Sequence, residues 1–480
     1  MQSFASRWPR LRWPNAYTIA GVSRAGVQAT TLLTMMVAIA ALDTTTFGAF
    51  SVAWVAAVMG NTLVYSGLYE YLLRTRDVEA EKHAVFWLMA AEGVLFGSLM
   101  LLAGVVAYAA GNAPLGLSFS VLAAVSFLVA PMAWCDALLT RAGRAATVGV
   151  VVFVAELCGA LALAAGLALG FKLAALLAWR VVSTCVAFGG LFVLGNTVPR
   201  PRWSTDIARS ALAAALPLQG GTLVRTISTY AADFLLAWHL SPAAAGSYRA
   251  ASRVSVTGSD VFLQPLRPMT WASLARHERE ANQLAMRTVY LDQLRMLTFF
   301  TWPVLLCVAL FSTRLFATLA KADWISAAPV LVVLALSRLP AVLDYFFDPI
   351  LVCTGKTGTQ FRMRTAFTVV LLIGILISAI YGPMAVAWWQ LVFALLTSVI
   401  ATSFIARAIS VTWHQVISAT APAVVVAVLC AVTGELVFRV TQVQPTLRLI
   451  ISVAAMGACL LGCFVLLQRR AGIRLPTAEA

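Results

Sequence analysis

Hydrophobic positions run along this chain in long blocks separated by short polar connectors. A helix rises about 1.5 Å per residue and bilayer hydrocarbon is about 30 Å thick, so blocks of about 17 to 25 apolar residues predict membrane-spanning helices. Longer blocks are tilted or run past the hydrocarbon. About fourteen spans are predicted, near residues 17–42, 47–73, 84–110, 115–139, 145–169, 173–195, 207–239, 247–272, 288–312, 323–352, 365–381, 384–406, 415–438 and 449–468. The expected fold class is an all-α polytopic membrane protein.

Some spans are interrupted by polar residues in a regular way. The segment RAASRVSVTGSDVFLQPLR, Arg249 to Arg267, carries three arginines and an aspartate. At about 100° per residue, Arg253, Thr257, Asp260, Gln264 and Arg267 fall at about 40°, 80°, 20°, 60° and 0° from Arg249, on one narrow face. A charged side chain at the bilayer centre costs about 3 kcal/mol, so this stripe must face protein or water. Span seven repeats the design with Thr222, Arg225, Thr226, Thr229 and Asp233 above Pro217, and span one carries Arg24, Gln28 and Thr31 on one face. Spans eleven and fourteen have no charged residue in their interiors. Arg24, Arg225, Arg253 and Arg249 make a ladder from the inner to the outer end of their spans. Guanidinium suits phosphate because its planar fork donates two parallel hydrogen bonds and stays ionised when poorly solvated. The competing reading is that these arginines only neutralise carboxylates, Arg225 with Asp233 or Arg253 with Asp260.

Elsewhere pairing is the better reading. Glu156 and Arg180 reach similar depth on spans five and six, as do Arg295 and Asp344 on spans nine and ten, and both are expected to be buried structural ion pairs. Glu92, a carboxylate without a cation in span three, is either a protonatable coupling group or a hydrogen-bonded carboxylic acid. Trp54, Asn61 and Tyr65 share a face of span two that suits packing more than sugar stacking.

Composition sharpens this picture. The chain is 61% hydrophobic and 11% charged over 480 residues, far from the balance of a soluble domain. A net charge of +15 raises nucleic acid as a partner. Its placement argues otherwise: with the N-terminus inside, inner segments hold 20 Lys and Arg, and the outer side holds Lys172, Arg314, Lys321, Arg439 and Arg448. Short basic loops are retained in the cytoplasm, which places both termini there, and no nucleic-acid partner is expected. The eight cysteines lie in or at the ends of spans and read as small apolar residues. The four histidines, His83, His239, His277 and His414, form no recognisable metal site, and neither metal nor cofactor is expected. GKTG at Gly355 to Gly358 lacks the preceding glycine of a phosphate-binding loop. The basic N-terminal segment is read as a cytoplasmic lead, since no A-x-A-like cleavage site follows the first apolar run.

No loop leaves room for a soluble catalytic domain, so the chain is not expected to be an enzyme. The connector NTVPRPRWSTD, Asn196 to Asp206, divides it into halves that resemble one another. Span one ends at Asp43 before TTTFGAF; span seven ends at Leu240 before SPAAAGSYRAASR; Gly48 matches Gly246. Repeated bundles related by an axis along the membrane normal are a transporter plan with the substrate at the repeat interface. The expected domains are two pseudo-symmetric six-helix lobes, residues 1–200 and 201–410, with two further helices and a short tail in 411–480.

The stretch DFLLAWHLSPAAAGSYRAASR, with Asp233, Gly246, Tyr248, Ala251 and Arg253, and FGAFSVAW after Asp43, resemble the polysaccharide-transporter branch of the multidrug/oligosaccharidyl-lipid/polysaccharide exporter superfamily. The resemblance covers roughly residues 15 to 410. It implies two six-helix lobes lining a central cavity with spans one, two, seven and eight, and alternating access. Span two departs, having no interior cation. The resemblance further implies a bacterial inner-membrane flippase for a polyprenyl-diphosphate-linked oligosaccharide feeding cell-surface polysaccharide, with membrane lipids and polysaccharide polymerase machinery as partners. On that reading Arg24, Gln28, Arg225, Thr229, Asp233, Arg249, Arg253, Asp260 and Gln264 bind substrate. One rival is a cation-coupled multidrug exporter, whose cavity should be rich in carboxylates rather than arginines. Another is a membrane-embedded polymerase or glycosyltransferase, which should carry a sizeable external loop.

Overall fold

The computed structural model describes residues 16–471, apart from residues 76, 281, 320 and 321. The termini expected in the cytoplasm lie outside the described residues. Among the described residues there is no strand. The helices are α1 (Ala16–Ala41), α2 (Thr44–Val64), α3 (Leu68–Arg74), α4 (Val78–Ala109), α5 (Ala113–Arg141), α6 (Ala145–Ala168), α7 (Leu173–Gly195), α8 (Thr205–His239), α9 (Pro242–Arg279), α10 (Gln283–Leu319), α11 (Ala327–Asp344), α12 (Phe347–Cys353), α13 (Thr357–Ala379), α14 (Pro383–Ile409), α15 (Trp413–Val440) and α16 (Pro445–Ala471). A short 3-10 turn, Ala322–Ser326, precedes α11.

Two predicted spans are broken. The second divides at Gly67, whose φ of +70° favours a residue without Cβ, and Glu70 accepts the Gly67 amide at 2.7 Å. The tenth divides near Tyr345, because Pro349 has no amide to donate four residues back and its ring crowds that carbonyl. Counting each broken pair once, fourteen long helical passages remain among the described residues, and twelve are long and apolar enough to cross a membrane. The other two are α8 and α9, of 35 and 38 residues, the helices with the polar stripes.

The chain forms two compact units: residues 1–34 with 53–227, and residues 35–52 with 228–480. They divide within α1, α2 and α8, whereas the sequence places the boundary at 200/201. One cause is that the connector after α7 is tied into the first unit: the Arg200 amide donates to His83 Nδ1 at 3.1 Å and its carbonyl accepts from Trp87 Nε1 at 3.0 Å. Ala208, Ala211 and Ala215 of α8 then bury in that unit's core beside Trp134 and Leu72.

The second unit has one core around Tyr290, Phe346, Phe347 and Ile405 and another joining α10 to α15 and α16 through Phe311, Cys430 and Met456. It also contains both turns that the sequence matches. Asp43 Oδ2 accepts from the Thr46 amide at 2.9 Å, and Ser241 Oγ accepts from the Ala244 amide at 3.2 Å, so equivalent residues cap α2 and α9. A Cβ on Gly48 would lie 2.0 Å from the Pro242 carbonyl oxygen, and one on Gly246 would lie 2.9 Å from Gly48 Cα. The matched glycines therefore touch each other. Trp324, fully buried, closes this contact by donating Nε1 to the Leu42 carbonyl at 2.9 Å while Phe47 packs edge-on against it.

Candidate functional site

Among the described residues the first unit carries three polar groupings on the membrane-spanning helices, around Glu156, Glu92 and Asp136. On α1, Arg24 and Gln28 are exposed. One turn further on, Thr31 donates to Glu156 Oε1 at 2.8 Å, and Glu156 also accepts from Trp179 Nε1 at 3.2 Å and Arg180 Nη1 at 3.4 Å. The Arg180 guanidinium lies 3.6 Å from the Trp179 ring centroid and 4.1 Å from that of Trp54. The ion pair expected between Glu156 and Arg180 is present, and α1, α2, α6 and α7 all contribute to it. Trp54 therefore spends a ring contact on a cation.

Glu92 on α4, which the sequence leaves as either a protonatable coupling group or a hydrogen-bonded carboxylic acid, is hydrogen-bonded. Gln219 of α8 donates Nε2 to Glu92 Oε1 at 2.7 Å and to the Ser66 carbonyl at 3.3 Å, while Glu92 Oε2 is buried without a hydrogen-bond partner. Gln219 thus joins α8 to the break between α2 and α3. Pattern reading missed Gln219 and Asp136, which accepts from Tyr69 at 3.0 Å and Thr140 at 2.9 Å. A carboxylate in the apolar stretch of span four was the available signal. Farther along α8, Arg225 is exposed.

In the second unit, the stripe divides by exposure. Thr229 and Gln264 are exposed, Arg253 and Asp260 half-buried, and Asp233 and Arg249 buried at 3% and 8% exposure. Arg249 Nη1 lies 3.5 Å from Asp233 Oδ2, and its guanidinium sits 4.8 Å from the Tyr230 ring centroid. The partner of Asp233 is therefore Arg249, where sequence had offered Arg225: the turn after α8 brings the start of α9 back beside its end. Asp233 Oδ1 is buried without a partner. Asp260 accepts weakly from Gln264 and Ser259, at 3.4 and 3.5 Å, and it feels the charge of Arg338 on α11, which pattern reading also missed. The side chain of Arg267 lies outside the described residues.

One expected pair does not form. Arg295 lies 3.4 Å from Asp292 on its own helix, and Asp344 pairs with Arg364 at 2.7 Å. The break after Asp344 turns the chain so that α13 returns Arg364 to Asp344 and Asp348, with Arg364 Nε 2.8 Å from Asp348 Oδ1. Similar depth on neighbouring spans carried no information about azimuth. Among the described residues no group of His, Cys, Asp and Glu could hold a metal ion.

Twelve apolar passages, broken spans two and ten among them, and two polar ones make a multi-pass membrane protein. The fold is that of the multidrug/oligosaccharidyl-lipid/polysaccharide superfamily. It is similar to the lipid II flippase MurJ in an inward closed conformation, with a TM-score of 0.67 and 12% identity over 95% of this chain and 99% of that one. It is similar also to an inward-facing multidrug resistance MATE family transporter, with a TM-score of 0.57 and 14% identity over 82% and 94% of the chains. A superfamily transporter from Pyrococcus furiosus gives 0.51 and 15% over 82% and 95%. Residues 41–329, more than half of the chain, match the family described as polysaccharide biosynthesis protein, and the chain belongs to that family. The branch inferred from the Asp233 to Arg253 stretch is borne out. No curated protein sequence matches.

Proposed function

We propose that this protein is a flippase that moves a polyprenyl-diphosphate-linked oligosaccharide across a bacterial inner membrane for cell-surface polysaccharide synthesis. The observation that carries the reading is the character of α8 and α9. In a transporter fold of a polysaccharide-biosynthesis family, the two helices too polar to pass as spans are among the longest, and their polar residues follow one face. A helix keeps such a stripe within a membrane only where it borders water, protein or a polar cargo. A diphosphate meets that need with charge and acceptor oxygens.

On this reading Arg24, Arg225 and Arg253, exposed or half-buried, engage the headgroup along with Gln28, Thr229 and Gln264. Arg249 and Asp233 fix the end of α8 to the start of α9 and place Arg253 one turn below. Alternating access requires that headgroup contacts differ between inward and outward states. Basic inner loops set both termini in the cytoplasm. Asp260, on the same face of its helix as Arg253, belongs to the same binding stripe.

The test is accumulation of lipid-linked repeat units on the inner leaflet of a deletion strain, relieved by the intact gene. Arg225→Ala is expected to abolish relief at unchanged protein abundance. Full relief by that variant would remove Arg225 from the mechanism, and export of cationic dyes instead of repeat units would favour the drug-exporter reading.

A further inference from the structure

Cations are scarce on the outer side of this chain: Lys172, Arg314, Lys321, Arg439 and Arg448 stand there, against 20 in the inner segments. Basic residues in short outer loops oppose the charge bias that orients a membrane protein, so gathering them at one place requires a physical reason. Arg314, Arg439 and Arg448 gather around two residues of α15. Glu435 accepts from both terminal nitrogens of Arg314, Nη2 at 3.0 Å, and from Arg439 Nε at 2.8 Å. The Phe438 ring lies under two guanidiniums, with Arg314 Cζ 4.1 Å and Arg448 Cζ 4.8 Å from its centroid. Arg448 donates Nε to the Thr441 carbonyl and has no carboxylate partner among the described residues. Two of the three guanidiniums share one carboxylate and the third has none, which leaves two positive charges in excess.

We propose that the outer ends of α10, α15 and α16 bind the phosphate of an anionic phospholipid headgroup through Arg439 and Arg448. Both arginines use Nε in the contacts above, and their terminal Nη groups remain to donate. A planar fork of this kind matches two phosphate oxygens. Leu436, Val440, Leu447 and Ile450 beside them are 49 to 71% exposed, the apolar surface that acyl chains cover. That neighbourhood selects a lipid over a soluble phosphate. Simple anchoring at the interface spreads long cationic side chains around the rim; it gives no reason to hold two guanidiniums on one ring. Glu435, Arg439 and Arg448 also lie beyond residues 41–329, whereas Arg314 lies within them, so most of the site stands outside the family-matched segment.

Native mass spectrometry of the detergent-solubilised full chain, titrated with phosphatidylglycerol or phosphatidylcholine, tests the site. Two charge-assisted contacts predict retention of phosphatidylglycerol about tenfold above phosphatidylcholine. Arg439→Gln with Arg448→Gln is expected to bring the two lipids level, while Arg74→Gln with Arg362→Gln, on the basic side, keeps the wild-type ratio. Arg448→Gln alone unpairs no carboxylate and leaves folding intact; it is expected to lower the ratio about threefold. Equal retention of both lipids by the wild type, or an unchanged ratio in Arg448→Gln, overturns the proposal. Displacement of phosphatidylglycerol by equimolar inorganic diphosphate also overturns it, since the site would then select free phosphates rather than a lipid.

Discussion

Each unit holds a buried arginine–carboxylate pair, and the two are built differently. Glu156 and Arg180 lie 3.4 Å apart, Asp233 and Arg249 3.5 Å, all at 8% exposure or less. Around the first, three donors converge on Glu156 and two indoles face the guanidinium. Around the second, one aspartate oxygen has no donor and one tyrosine ring faces the guanidinium. A buried ion pair offsets its desolvation only when its remaining lone pairs are satisfied. The first pair is a joint between helices whose carboxylate is fully used, its one buried atom outside a hydrogen bond being the donor Arg180 Nε. The second keeps an acceptor, Asp233 Oδ1, open at the junction of the two polar helices.

The sharpest way to break this contrast is to remove the acid of the first joint. Glu156→Ala leaves Arg180 buried without its carboxylate and is expected to cost about 3–5 kcal/mol, read as a lowered unfolding temperature and reduced abundance in the membrane. Equal stability would show that the guanidinium finds another partner. Asp233→Asn is expected to cost less, about 1–3 kcal/mol, because it removes charge but keeps an acceptor. Its export defect should exceed its loss of abundance, and a proportional fall in both would make the pair merely structural. Trp54→Leu removes one of the two indoles and is expected to cost about 0.5–2 kcal/mol, seen in the same thermal measurement. Gln219→Glu against Gln219→Leu probes the other buried carboxylate: both lose the amide donor to Glu92, and each is expected to lower stability by about 1–3 kcal/mol near neutral pH. Recovery of the Glu variant alone at low pH would show that a proton can replace that donor.

Some of this was legible in the pattern of residues. The face shared by Arg249, Arg253 and Asp260, and that of Thr222, Arg225 and Asp233, follows from the helical repeat alone, and α8 and α9 are continuous over both stripes. The Gly48 and Gly246 match marked two turns whose caps are also equivalent. Other features were invisible. Arg295 and Asp344 share depth, but depth fixes only one of the coordinates a contact needs. Arg364 finds Asp344 because the tenth span breaks and the chain returns, and Gln219 carries no charge to draw attention to it.

The sequence by itself determined the number of long helical passages, their membrane character and the faces that must avoid lipid, since each depends on local composition and on a repeat of 3.6 residues. Only the tertiary structure decided which arginine stands beside which carboxylate, as Arg249 does beside Asp233 and Arg364 beside Asp344. Partnership depends on how helices are rotated and broken, and those choices are set by packing between residues more than a hundred positions apart, as Thr31 and Glu156 show.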